Sequence, residues 1–155
     1  MSAVARSLNV VHLYPELLNL YGDGGNIITL VKRLEWRGLG AHVAEVAISD
    51  TPTFVDADIV FIGGGSDREQ AIVCERLLGQ RSELASFVED GGVLLAVCGG
   101  YQLLGHSYAM GDDVLEGLGL VDMETRRGAP RLIGNVAVES PVSPQPVVGY
   151  ENHGG

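Results

Sequence analysis

Of the two cysteines in this sequence, one stands where a thiol can do chemistry. Val93-Leu94-Leu95-Ala96-Val97 is a short continuous apolar run, β-branched at both ends, which predicts a strand buried on both faces of a parallel sheet. It stops at Cys98. Gly99 and Gly100 follow at once, and Tyr101-Gln102-Leu103-Leu104 then opens a segment of helical character. Ala96-Val97-Cys98-Gly99-Gly100 therefore reads as a nucleophile elbow, in which the apex residue takes a strained backbone and small neighbours let strand and helix approach. Backbone N–H groups and the positive end of the helix dipole there favour thiolate over thiol, making the sulfur a nucleophile near neutral pH. The competing reading of Cys98 is a buried core cysteine. A glycine pair directly after a hydrophobic strand favours the nucleophile.

A cysteine that attacks a carbonyl generates an oxyanion, which needs backbone N–H donors. The sequence offers them at Gly63-Gly64-Gly65, straight after Asp58-Ile59-Val60-Phe61-Ile62, a run with the look of a central parallel strand. Three glycines at the carboxyl end of such a strand let main chain approach a ligand in the crevice where α/β sheets place their sites. Gly64 or Gly65 is expected to supply one donor and Gly99 the other. A tight turn is the alternative for the triplet, and its pairing with the elbow decides against it.

The elements that must position these groups follow an alternating pattern. Leu8 to Leu13 predicts a first strand, ended by Tyr14-Pro15. The turn Gly22-Asp23-Gly24-Gly25 leads to Asn26 as the expected N-cap of a helix with Ile27, Leu30, Val31 and Leu34 on one face, ended by Gly38 or Gly40. These glycines do not read as a phosphate loop, because no Lys-Ser/Thr follows and Asp23 places negative charge there. A second strand is expected from His42 to Ile48. Asp67 to Gly79 predicts a helix with Ala71, Cys74, Leu77 and Leu78 inward, which makes Cys74 a core residue. Another helix, Ser82 to Asp90 with Ser82 as N-cap, leads through Gly91-Gly92 into the elbow strand. Beyond it, 114–123, 132–139 and 146–150 read as shorter strands and connections, and 140–146 as a rigid surface loop.

Composition bounds the partners. A chain of 155 residues, 46% hydrophobic and 19% charged, can form one globular domain with a real core. Ten basic and twenty acidic residues leave a net charge of −10, which disfavours nucleic acid and anionic lipid and points to proteins or small molecules. Two cysteines make no disulfide framework, and no Cys/His cluster has zinc spacing. No stretch has the length and apolarity of a membrane span, nor is there a secretory signal, so a cytoplasmic protein without membrane insertion is expected.

Cys98-Gly99-Gly100-Tyr101-Gln102 resembles the C-x-G-x-Q elbow of class I glutamine amidotransferases, which strip ammonia from glutamine through a cysteine thioester. Leu13-Tyr14-Pro15-Glu16-Leu17-Leu18-Asn19-Leu20-Tyr21-Gly22-Asp23 with Gly25-Asn26, then Gly63-Gly64-Gly65-Ser66-Asp67-Arg68-Glu69-Gln70, and Gly149-Tyr150-Glu151-Asn152-His153-Gly154-Gly155 narrow the resemblance to the CobB/CobQ-like branch. Within that branch they look like the GatD-type subunits of lipid II isoglutaminyl synthase. The resemblance spans nearly the whole chain. It implies a flavodoxin-like α/β domain with a mostly parallel sheet and helices on both faces. It also implies glutamine as substrate and a heterodimer with a Mur-ligase-like, ATP-using subunit, which amidates the D-glutamate α-carboxylate of the peptidoglycan stem peptide. ATP and magnesium are then expected on that partner and no cofactor on this subunit.

The resemblance assigns the nucleophile to Cys98, the oxyanion hole to the Gly63–Gly65 loop and Gly99, and a place in the glutamine pocket to Gln102. Arg131 resembles the glutamine-binding arginine, with Arg126 and Arg127 as rivals and a plain surface arginine as the alternative. A histidine must take the thiol proton and return one to the departing ammonia. In the family it lies C-terminal to the Glu-Asn-His-Gly-Gly segment, so the sequence is expected to be a truncated form of the family domain. His12 and His42 fall in or near early strands and His106 just after the elbow helix, while His153 is the candidate base nearest to the motif. Two other readings stand beside this one: another elbow-cysteine hydrolase, against which Gln102 argues, and a non-catalytic partner that only stabilises a ligase.

Overall fold

The computed structural model describes residues 6–20, 22–110 and 113–154; Tyr21 and Gly155, both part of the motifs above, lie outside the described residues. In chain order the first half forms β1 (Ser7–Leu13), α1 (Gly24–Glu35), β2 (Gly40–Val46), β3 (Ile59–Ile62), α2 (Asp67–Leu78), α3 (Arg81–Glu89), β4 (Val93–Ala96) and the single turn α4 (Gly99–Gln102). The four strands are all parallel, in the order β2-β1-β3-β4. This is the start of a doubly wound, flavodoxin-like order: the chain steps from β1 out to β2, then reverses to β3 and β4, opening a crevice at the carboxyl ends of β1 and β3.

Strand alternation decides the layers. Val11 and Leu13 with Val60 and Ile62 bury against Val73, Cys74 and Leu77 of α2 and Leu84 and Phe87 of α3. The intervening Val10 and Phe61 face Ile27 of α1, with Leu30 and Val31 packed alongside. Helices therefore cover both faces, as expected. The strand at 93–97 departs from expectation. Instead of being buried on both faces, β4 is the edge strand of this sheet, with Val93 and Leu95 exposed by 56% and 41%. Leu94 and Ala96 pack inward, but α1 lies over β1 and β3 and leaves the opposite side of β4 open.

Helix starts follow backbone geometry more than the nearest capping residue. The expected N-cap Asn26 is already inside α1, which begins at Gly24; the Gly24 N–H donates to Asn19 Oδ1 at 2.9 Å because the turn at Gly22 folds the chain back on Asn19. Ser82 likewise sits inside α3. Gln80 takes the N-cap position, its carbonyl accepting from the Leu84 N–H, while Ser82 Oγ donates to Glu83 Oε2. The start of α2 is a capping box: Ser66 accepts from the Glu69 N–H, and the Ser66 N–H donates to Glu69 Oε2 at 2.8 Å. That box fixes where the Gly63–Gly65 loop ends.

The second half adds a small sheet and a ribbon. β5 (Ser107–Met110) pairs antiparallel with β6 (Asp113–Glu116) and parallel with β7 (Glu124–Thr125). β8 (Leu132–Ser140) and β9 (Ser143–His153) form an antiparallel hairpin. The expected surface loop at 140–146 is thus mostly strand. Pro144 and Pro146 are tolerated because a two-stranded ribbon consists only of edges, where a missing N–H disrupts no further ladder. Among the described residues no helix is long and apolar enough to cross a membrane.

Candidate active site

Cys98 sits one residue beyond Val97, whose N–H still donates to the Ile62 carbonyl, and so projects from the carboxyl end of β4 beside the Gly63–Gly65 loop that follows β3. Its backbone has φ +54° and ψ −122°. A non-glycine residue rarely adopts that region, and such strain concentrates at functional sites. The side chain is exposed, which disposes of the core-cysteine reading. α4 is only one turn long, so the expected help from a helix macrodipole is small; what the turn provides is its first N–H, at Gly99, which has no intrahelical acceptor.

Close approach explains the glycines. A Cβ at Gly64 would stand 2.9 Å from Cys98 Cβ, nearer than real Cβ atoms come, as well as 3.3 Å from its Sγ and 3.5 Å from the Gly99 nitrogen. A Cβ at Gly100 would strike the Gly63 carbonyl, and one at Gly99 would land on the Gln70 amide. The loop and the elbow therefore touch main chain to main chain, and Gly64, Cys98 and Gly99 share one point in space. An oxyanion hole needs that arrangement.

Cys98 opens onto a cavity of about 640 Å³, within the range that holds small-molecule ligands; of the expected oxyanion-hole residues Gly65 lines it, while Gly64 and Gly99 do not. Gly65, Cys98 and Gln102 line it as expected. So do Arg127 and Arg131, whereas Arg126 is not on its walls and instead pairs with Glu124 at 2.7 Å. Arg131 is held by the far end of the hairpin, its Nε donating to Asn152 Oδ1 at 2.9 Å. His153 also stands on the wall, with Nε2 3.5 Å from Glu151 Oε2. The other histidines lie elsewhere. His12 is buried in β1, edge-on to Phe61, and burial pushes its imidazole below the ordinary value. His42 is in β2, and His106 bonds Asp122 at 3.0 Å.

Sequence reasoning did not single out Asp67 or Gln70, which line the same cavity. With Arg127 and Arg131, Asp67 gives the walls opposite charges, the complement of an α-amino acid's carboxylate and ammonium groups. Their proximity to Ser66 in the motif after the glycines was the available signal. Cys74, by contrast, is buried in α2 with its thiol donating to the Glu116 carbonyl at 3.0 Å, and burial pushes its pKa up. It is a core residue, as expected.

Sequence comparison leads to the same chemistry. The chain is 44% identical over 149 residues to the GatD subunit of the glutamine-hydrolysing lipid II isoglutaminyl synthase of Staphylococcus aureus, an alignment covering 96% of this chain and 61% of that protein. It is 38% identical over 152 residues to the corresponding Streptococcus pneumoniae subunit, covering 96% and 58%. A more distant relative is the cobyric acid synthase of Brucella canis, 33% identical over 104 residues that make up 63% of this chain and 22% of that protein. The chain thus spans about three fifths of the length of the two GatD proteins. An exposed cysteine on a strained elbow, a glycine loop against it and a match over residues 9–155 converge: the chain belongs to the CobB/CobQ-like glutamine amidotransferase domain family.

Proposed function

We propose that this chain is the glutaminase part of a lipid II isoglutaminyl synthase, hydrolysing glutamine at Cys98 and passing ammonia to a Mur-ligase-like subunit. The observation that carries the reading is the close approach of Gly64 to Cys98 and Gly99, with Cys98 itself on the wall of a cavity that Gly65, Arg127 and Arg131 also line. In this scheme the arginines hold the glutamine α-carboxylate and Gln102 lines the side-chain path. The Cys98 sulfur adds to the δ-carboxamide carbon. Negative charge then collects on the carboxamide oxygen, where the N–H groups of Gly99 and the Gly64–Gly65 segment receive it; one such donor is worth on the order of 10²–10³ in rate. The carboxamide nitrogen takes up the proton that the thiol gave up and leaves as ammonia, and water then adds to the thioester and releases glutamate. ATP and magnesium belong to the partner, which activates the carboxylate of D-glutamate in lipid II.

Cys98→Ser tests the reading. Assayed with the partner, the variant should lose glutamine-dependent amidation and keep amidation from added ammonium, because the two half-reactions use separate sites. Glutamine-dependent amidation at the unmodified rate would instead make this subunit a non-catalytic stabiliser of the ligase. Loss of both activities would assign the cysteine a structural role.

A further inference from the structure

The peptides around Gly65 are pinned from both sides. The Gly64 carbonyl accepts from the Leu20 N–H at 3.2 Å. In a trans peptide the carbonyl and the following N–H point in opposite directions, so this bond aims the Gly65 N–H away from the Leu17–Leu20 turn. The next peptide is held at both ends: the Gly65 carbonyl accepts from Gln70 Nε2 at 2.7 Å, and the Ser66 N–H donates to Glu69 Oε2. Gln70 is 3% exposed, and its amide also fills the space beside Gly99 where a Cβ would otherwise go. One side chain therefore grips the loop wall of the oxyanion hole and abuts the elbow wall.

Packing alone does not account for a glutamine here. Its Oε1 is buried without a hydrogen-bond partner among the described residues, an unfavourable state that an apolar side chain of equal length would avoid. The Nε2 bond to Gly65 is what distinguishes glutamine from methionine at this position. We propose that Gln70 is the positioning residue of the oxyanion hole, holding the Gly65 peptide so that the loop N–H and the Gly99 N–H converge on the same oxygen. This rests on the glutaminase reading above.

The test uses the native protein with its ligase subunit and three readouts: glutamate release, the rate of Cys98 alkylation by iodoacetamide, and the pH profile. Gln70→Met keeps length and loses the donor. It should lower kcat about 10–100-fold, the cost of a misplaced catalytic contact, and leave the KM for glutamine within about twofold. Alkylation displaces iodide at a tetrahedral carbon and builds no oxyanion, so its rate should not change. Gln70→Glu cannot donate when ionised but can when protonated, so its kcat relative to wild type should rise as pH falls. An unchanged kcat in Gln70→Met, an equal loss of alkylation rate, or a flat Gln70→Glu ratio would each overturn the inference, as would failure of both variants to fold, which would make Gln70 a packing residue. Wild type that releases no glutamate would instead overturn the glutaminase reading, and this inference with it.

Discussion

At the scale of single residues, two thiols of the same chain have opposite surroundings. Cys98 is exposed on a strained apex, whereas Cys74 is buried, donates to the Glu116 carbonyl and has its pKa pushed up by burial. The thiolate is the reactive form. Iodoacetamide at neutral pH should therefore label Cys98 first by peptide mapping, and preferential labelling of Cys74 would contradict the assignment. Gly64 has no room for a methyl group against Cys98. Gly64→Ala should keep the fold, seen by circular dichroism, while glutamate release falls about 100-fold, the scale of catalytic groups displaced by about 1 Å. His153 stands on the cavity wall, but by its motif it is a structural residue close to the site rather than the base. In the native protein His153→Ala should then cost less than about tenfold; a loss on the order of 10²–10⁴ would make it the base. The strained, exposed apex at Cys98 was legible because an elbow imposes small residues at fixed offsets from it. Gln70 was not, because its role depends on a carbonyl five residues away that the capping turn brings within reach.

Among the elements, hydrophobic periodicity located every strand of the parallel sheet and all three long helices, but their ends followed other rules. Ile27 and Leu34 are buried on α1 as the spacing requires. The cap of that helix comes from Asn19, outside the periodic segment, through a turn that only the folded loop forms. Asn19→Ala should therefore destabilise the protein by about 1 kcal/mol, as loss of a capping side chain does, whereas Asn26→Ala should have no capping effect. Thermal unfolding of the two variants distinguishes the assignments; equal effects would return the cap to Asn26. The hairpin escaped sequence reading for a different reason. Three prolines between 140 and 147 look like a loop by composition, and only the pairing of Val138 with Val147 and Ser140 with Ser143 makes the stretch a ribbon.

For the molecule as a whole, acid sensitivity should trace in part to the buried His12. Burial holds its imidazole below the ordinary value of 6.5, outweighing the opposing pull of Glu45, Asp23 and Glu16. Between that value and the lower folded one, the unfolded chain binds more protons than the folded chain, so stability falls as pH drops through this window. Tm should decline from about pH 7.5 to 5.5, and His12→Leu should flatten that decline; an unaltered slope would remove His12 from the account. The sequence by itself determined the alternation of strands and helices, the elbow with Cys98 at its apex and the glycine loop, because strand period, helix period and the steric demand of a sharp turn are local constraints. Which arginines share the cavity with Cys98, and that Asp67, Gln70 and the hairpin's His153 join them, only the tertiary structure decided. Those residues come from segments up to 86 positions apart, between Asp67 and His153, and nothing in their local chemistry records the sheet order and hairpin register that bring them together. The exposed edge of β4 is of the same kind: an apolar run specifies a strand, and only its place in the sheet specifies which of its faces is covered.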